Sequence, residues 1–475
     1  MNAITIAWIA LPFFVGFSIY LLPRLDRTLA LGVAIASMAY ALQRLFDPTP
    51  LTLQLVDHFG VTLVIDSLSG YFILTNALVT AAVIIYCWHT DKTAFFFTQM
   101  IILHGSVNAA FVCSDFISLY VALEVISVAA FLLIAYPRTD RSIWVGLRYL
   151  FVSNTAMLFY LLGAVLVYQA NHSFAFAGLL GAPNEAAALI FLGLLTKGGI
   201  FVSGLWLPLT HSESETPVSA LLSGVVIKAG VFPLVRCALL LEDIDPVVRI
   251  FGVGTAVLGV GYAVFEKDTK RMLAFHTVSQ LGFVLAAPEV GGFYALTHGL
   301  VKAALFLIAG NLPSRNLKEL KHIPIATPIW IALVIASFSI SGFPLLSGFG
   351  AKVLTMKNLL PWQIVGMNIA ALGTAISFAK FIFLPRGANG DIKPGFYPAM
   401  GILLGGLVLA NGIYYEAYTV TNIVKPLVTI GVGWLAYWLI FRQLAIKLPR
   451  MLEEFKHLIG VMSLMLMALF WMVLA

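Results

Sequence analysis

Apolar stretches of about twenty residues, separated by short polar connections, recur from Ala3 to Ala475, and each is long enough to cross a hydrocarbon core of about 30 Å as a helix. The alternation that marks the strands of a membrane barrel is absent, so the chain is expected to be an all-α polytopic membrane protein whose backbone groups are bonded within each helix. Segmentation predicts about sixteen spans, the first near 3–22 and the last near 459–475. The polar connections at 45–65 and 169–185 are too short to hold a core of their own. The spans group as N-terminal helices over 1–93, two five-span blocks over 94–241 and 248–384, and C-terminal helices over 396–475. Within the last group, 442–457 mixes Leu444, Ile446, Leu448, Met451 and Leu452 with Lys447, Arg450, Glu453, Glu454 and Lys456. That pattern predicts an amphipathic helix in the membrane interface, kinked at Pro449.

Composition agrees: of 475 residues, 60% are hydrophobic and 11% charged, against roughly a quarter charged in soluble domains. A net charge of +6 would suggest nucleic acid in a soluble protein, but here the basic residues sit in short loops. About 17 Lys and Arg fall in one set of alternate loops and about 5 in the other, which places the N-terminus on the non-cytoplasmic side. The expected location is a bacterial cytoplasmic membrane or an equivalent energy-transducing one. The first run, Ile4 to Leu22, has no basic region before it and no small-residue cleavage site, so it reads as a retained span rather than a signal peptide. Cys87, Cys113 and Cys237 show no paired spacing and read as packing residues.

An ionisable side chain at mid-span costs roughly 3 kcal/mol, so each one calls for a reason. Glu124 stands alone in LYVALEVISVAAFLLIAY and Lys197 in FLGLLTKGGIFVSGLW; Lys228 lies in LLSGVVIKAGVFPL, His298 and Lys302 in ALTHGLVKAALFLIAG, and Lys352 in ISGFPLLSGFGAK. His298 and Lys302 are four apart, on one helix face. His276 lies five residues past Arg271, within reach of the interface. The bland alternatives are a structural ion pair for Glu124, hydrogen-bonded packing for the histidines, and a snorkelling stem for Lys380, which is close to a span end. The sharper reading is proton transfer, since desolvation favours a neutral amine and lets a buried lysine gain and lose its proton. Two lysine charges about 10 Å apart repel by roughly 1.7 kcal/mol at an effective dielectric of 20, so neighbouring sites act as coupled switches. Haem ligation is disfavoured because His104, His276 and His298 lie in different spans. With no nucleotide-binding or triad motif, no cofactor is expected, and the energy must come from partner subunits.

Two of the lysines coincide with signs of broken helices. Lys197 is followed by Gly198, Gly199 and Pro208, and Lys352 follows Gly342, Pro344, Gly348 and Gly350. Such breaks are tolerated where they line a cavity or are buried in protein. They fall five spans apart, and an odd repeat must be inverted in the membrane, so spans 4–8 and 9–13 are expected to form two half-channels entered from opposite sides. After the first break, Thr216 is the expected cap of the next helix, with Pro217 at its first position.

The chain resembles the antiporter-like subunits shared by respiratory complex I and the multisubunit Mrp-type cation/proton antiporters. The resemblance rests on IDSLSG at 65–70, the span of Asp115 and Glu124, WLPLTHSESETPVSALLSGVVIKAGVFPLVR at 206–236, DTKRMLAFHTVSQLG at 268–282, HGLVKAALFLIAG at 298–310 and SGFPLLSGFGAK at 341–352. It implies a 14-helix core with two inverted five-helix repeats. It also implies proton-transfer roles: Glu124 and Lys197 as a switching pair, Lys228 as central relay, His298 and Lys302 as its continuation, and Lys352 as terminal donor. His276 in AFHTVSQLG and a lysine at 352 are similar to the D-type member of the Mrp-type complexes, which exchange protons for Na+ or another monovalent cation together with other membrane subunits. The alternative is the proton-pumping arm of a complex I-type oxidoreductase. Leu123 departs from the family pattern, which commonly has an aromatic residue there. So does SGLWLP, which lacks the histidine many relatives carry just before the tryptophan. Two spans follow the core, and the segment of about 16 residues between them would extend only about 25 Å as a helix.

Overall fold

A computed structural model describes residues 2–474 except 48, 57–59, 389, 391, 444, 445 and 447. The helices are α1 (Asn2–Leu21), α2 (Asp26–Phe46), α3 (Ser67–Tyr86), α4 (Ala94–Ala110), α5 (Phe116–Ile134), α6 (Asp140–Asn171), α7 (Asn184–Lys197), α8 (Leu207–Glu213), α9 (Thr216–Leu221) and α10 (Lys228–Leu240). They continue as α11 (Asp245–Phe265), α12 (Thr269–Ala286), α13 (Gly291–Ala309), α14 (Leu317–Leu320), α15 (Thr327–Ser341), α16 (Ser347–Lys357), α17 (Ile364–Ile382), α18 (Phe396–Ala410), α19 (Val420–Ala436) and α20 (Phe455–Leu474). Among the described residues, 13 helical stretches are long and apolar enough to span a membrane. The shorter apolar α4 and α15 and the buried, more polar α12 account for the other expected spans. The protein is thus a mostly helical, polytopic membrane protein, as the apolar pattern predicts.

Short polar side chains start many of the helices. Asp66 accepts from the Ser69 amide, Asp115 from Ser118 and Asp268 from Arg271, while Thr139 and Ser142 form a reciprocal box at the head of α6. Each satisfies amides that a helix leaves open at its first turn. Thr216 does not act as a cap. It is the first residue of α9, and its side chain packs where a Cβ on Gly310 would stand.

The connection over 45–65 is not featureless. Leu51–Val56 (β1) and Gly60–Ile65 (β2) pair antiparallel, with Leu53, Leu63 and Ile65 buried. This hairpin is an all-β addition to the expected all-helical fold, and its period-2 alternation is the signal for it. A second, minimal sheet pairs Ile325–Ala326 (β3) with Arg386–Ala388 (β4) in parallel. The predicted interfacial helix over 442–457 is also corrected: among its described residues only Met451–Glu453 form one 3-10 turn before α20 begins. Leu444, Ala445 and Lys447 lie outside the described residues. Glu453 is buried against Arg271 near the head of α12, and the exposed Arg450 reaches the buried Glu266, so the charges do not form the outer side of an amphipathic face.

At the centre, α13 is wholly buried and is flanked by α3, α9, α12, α15, α16 and α18. The backbones of α11 and α12 touch: a Cβ on Gly259 would stand 2.4 Å from the Ser279 amide, and one on Gly282 would stand 2.4 Å from Ala256. Small residues permit this approach between membrane helices, and α12 packs in turn on α13.

Candidate functional site

The first break begins where α7 ends at Lys197. Gly199 takes φ +68°, and 201–206 turn as a 3-10 segment before α8 resumes. Its open backbone groups are met from nearby. Trp206 Nε1 donates to the Thr196 carbonyl at 2.9 Å, and the Phe201 amide donates to Thr255 Oγ1 at 2.9 Å. Lys197, 3% exposed, donates to Ser153 Oγ at 2.7 Å and to Ser127 Oγ, and its amine lies 5.8 Å from the centre of the Tyr149 ring. Glu124 is partly exposed on α5 and interacts with Lys197 through space. One of its oxygens is buried without a hydrogen-bond partner, and no ion pair joins the two residues. The pair that the resemblance implies is therefore open in this structure, with the serines holding the amine.

Lys228 follows a π-helical turn over Leu222–Val226. The wide turn frees carbonyls within one helix, and the Lys228 amine uses them, donating to Ser223 O at 3.3 Å and Gly224 O at 2.5 Å. Such π-turns recur at functional sites. Gly299 of α13 packs against this turn, because a Cβ there would stand 3.0 Å from Gly224 O and 3.5 Å from the Lys228 amine. Close backbone approach thus sets α13, with His298 and Lys302, beside Lys228.

Lys302 donates to the Leu273 carbonyl of α12. Thr277 Oγ1 reaches the same carbonyl at 3.1 Å and meets Ser223 Oγ at 2.7 Å. Ser223 and Thr277, which sequence reasoning missed, therefore link the Lys228 turn to the Lys302 acceptor. His298 and His276 are buried, and neither ring nitrogen of either has a partner. His276 packs on Phe378, 4.6 Å between ring centres, so it lies in the core and not at the interface.

Lys352 sits beyond the second break, where Gly342 (φ +85°) ends α15 and α16 starts at Ser347. Its amine has no hydrogen-bond partner and lies 5.4 Å from the centre of the Phe283 ring. It lines a cavity of about 280 Å³ with Ser341, Lys357, Asn368, Asn422 and Lys425.

Two further side chains sort function from packing. Lys380 donates to the carbonyls of Ala263, Val264 and Glu266, closing the C-terminal end of α11, so it is a structural cap. His104 is fully engaged, with Nδ1 at 3.1 Å from Thr80 Oγ1 and Nε2 at 2.9 Å from Ser37 Oγ; it is the satisfied core histidine. His211 resembles the unpartnered pair instead. It is buried on α8 with both nitrogens free of partners, and its polar neighbours Thr210, Ser212 and Glu213 disguise it as a loop residue in the sequence.

Residues 113–377 match the family described as NADH:quinone oxidoreductase/Mrp antiporter, TM. The chain belongs to this family. A Na(+)/H(+) antiporter subunit of Alkalihalophilus pseudofirmus is 27% identical over 394 residues, 74% of this chain and 80% of the relative. An NAD(P)H-quinone oxidoreductase chain 4-3 of a Nostoc species is 31% identical over 434 residues, 82% and 77% of the two chains. The fold is similar to a chain of the Mrp complex from a Dietzia species (TM-score 0.74, 20% identity, 96% of this chain and 99% of that one). It is likewise similar to a chain of an archaeal membrane-bound sulfane sulfur reductase (TM-score 0.77, 20% identity, 92% and 100%). Both are chains of membrane complexes.

Proposed function

We propose that this chain is the proton-conducting subunit of a multisubunit Na+/H+ or related monovalent cation antiporter, acting with other membrane subunits. The observation that carries this reading is the state of the buried lysines. Arg236, Arg249 and Arg271 each face a carboxylate. Among the described residues, Lys197, Lys228, Lys302 and Lys352 form no ion pair; their amines meet only hydroxyls, carbonyls or aromatic rings, and Glu124 acts on Lys197 only through space. A charged amine taken out of water without an ion-pair partner pays several kcal/mol. The neutral form is therefore within reach at each of the four, which a proton relay requires and a structural ion-pair network does not. The two breaks supply half-channels in inverted repeats over 94–241 and 248–384, with Lys228, His298 and Lys302 bridging them and His276 beside the second. Glu124 closes on Lys197 when the serines release it.

The complex I-type reading stands second, favoured by relatives such as the Nostoc chain at 31% identity; there, electron transfer elsewhere would drive the same lysines. The partners that co-purify with the chain separate the two, small antiporter subunits on one side and iron-sulfur subunits on the other. The proton path itself is tested in vesicles holding the assembled complex. Lys228→Ala should abolish cation-dependent proton flux while assembly persists, and unchanged flux would remove the central relay.

A further inference from the structure

We infer that His211 is a proton relay connecting the basic-loop side of the protein with Lys302. The inference rests on the proton-conducting reading above and adds an entry point to it. His211 is 0% exposed and neither ring nitrogen has a hydrogen-bond partner. An unsatisfied buried polar group costs about 1–3 kcal/mol, a cost that a phenylalanine filling the same space would not carry. Packing alone thus gives no reason for a histidine here, whereas His104 shows how this fold satisfies one that only packs.

The surroundings of the ring point to a task. It stacks on Phe306 of α13, 4.7 Å between ring centres with the planes 21° apart, and the Lys302 amine lies 5.1 Å from the centre of that same ring. Imidazole and amine are therefore within roughly 10 Å of each other, about three or four hydrogen-bond lengths, which a short chain of waters would span. The charged groups acting on His211 are Lys302 from α13 and Lys270 from α12. The other elements packed on α8, namely α6 and the 201–206 turn, contribute none to it among the described residues.

Residues next to His211 in the chain line two cavities, although the buried His211 itself lines neither. Leu209, Ser212 and Glu213 line one cavity of about 700 Å³. Glu215, Thr216 and Lys270 line another of about 590 Å³. Both far exceed the ≈ 30 Å³ share of one water. Lys270 ties the second cavity to the end of α8 by donating to Ser214 O at 2.8 Å, and Ser219 Oγ holds the His211 backbone carbonyl at 3.0 Å. The His211 ring itself packs on Phe306, the same ring that meets the Lys302 amine. An imidazole with two nitrogens takes up a proton on one and releases a proton from the other. One proton enters from water in the cavities, one passes to the Lys302 amine, and the ring returns to its neutral form. No redox partner is involved.

The test uses the assembled complex in vesicles, with cation-driven proton flux and complex assembly measured together. His211→Phe preserves the stack on Phe306 and removes both nitrogens; His211→Gln is the smaller change and decides the matter where His211→Phe does not assemble. Each is expected to lower flux at least tenfold at normal assembly. Normal flux in an assembled His211→Phe or His211→Gln complex makes His211 a packing residue and overturns the relay. Lys228→Ala, run alongside, keeps the two ideas apart. If it abolishes flux while the His211 variants conduct, only the relay falls; if it too conducts normally, the proton-path reading falls and takes the relay with it.

Discussion

The two breaks carry the same residue, a buried lysine, in opposite settings. At the first, the Lys197 amine is held by Ser127 and Ser153, and the exposed carbonyl of Thr196 is covered by Trp206. The last helix, α20, packs over α7 and the 201–206 turn, so this chain shields its own first break. At the second, the Lys352 amine has no partner, and the hydroxyls of Ser339, Ser341, Ser347 and Thr355 are buried without partners as well. Leu345 there takes φ +81° and is 69% exposed, anchored through its amide to the Tyr418 hydroxyl at 2.8 Å. Unsatisfied buried hydroxyls favour hydration. The first break thus holds its amine among fixed hydroxyls, and the second leaves its amine beside a cavity lined by polar side chains. One sequence device, glycine and proline around a lysine, yields a held amine at one break and an unpartnered one at the other.

The largest effect expected is from removing either amine. Lys197→Met and Lys352→Met should each lower cation-dependent proton flux in vesicles at least tenfold with the complex assembled, and normal flux in either would end the pairing of the two breaks. A smaller effect separates them. Ser127→Ala combined with Ser153→Ala removes every hydrogen-bond acceptor of the Lys197 amine, at about 1–3 kcal/mol for a buried group left unsatisfied, and should reduce both thermal stability and flux. Ser347→Ala removes a hydroxyl that bonds to nothing in the protein, and should leave the melting temperature within about 1 °C of normal. Equal losses from the two changes would show that the settings are alike.

Much of this contrast was legible in the residues and some was not. Apolar run lengths set out the spans, and the glycines and prolines marked both breaks, because those residues change backbone geometry whatever surrounds them. The four lysines stood out because charge in an apolar run is costly wherever the helix ends up. What stayed hidden depended on partners distant in sequence. Ser127 and Ser153 are ordinary helix serines until α5 and α6 set them beside Lys197. His276 looked interfacial from its distance to Arg271, whereas α12 and its charged head are buried in protein. The β1–β2 hairpin lies in a connection that reads as polar, although the alternation of LTLQLV is visible in it. The 442–457 segment carried an amphipathic pattern but followed its charges instead, since Glu453 gains Arg271 at 2.7 Å on both oxygens and a contact from Arg148 to its carbonyl.

That charged cluster supplies the smallest and most selective test of the comparison, because it fastens the cover of the first break and, among the described residues, has no counterpart at the second. Glu266 receives Arg271 at 3.1 Å and Arg450 at 3.3 Å. Burial opposes its ionisation, but the amides of Asp268 and Lys267 and the two guanidiniums outweigh burial, so its carboxyl is held below the usual 4.5. Its contribution is therefore present above pH 4.5 and is lost as pH falls through the lowered value. Glu453 shifts the other way: burial outweighs Arg271 and raises its carboxyl, so protonating it on acidification relieves a cost and does not undo the fold. Taken together, α20 should stay docked as pH falls from 7 to 4.5 and loosen only below that. Protease release of a C-terminal tag from purified protein, followed across that range, measures this directly. Glu266→Gln should release the tag at every pH. The second break, held by the neutral Tyr418 contact, should show no change in labelling of a cysteine placed at Leu345 over the same range. Release of α20 beginning above pH 5, or labelling at 345 that tracks it, would mean that the two breaks share one restraint after all.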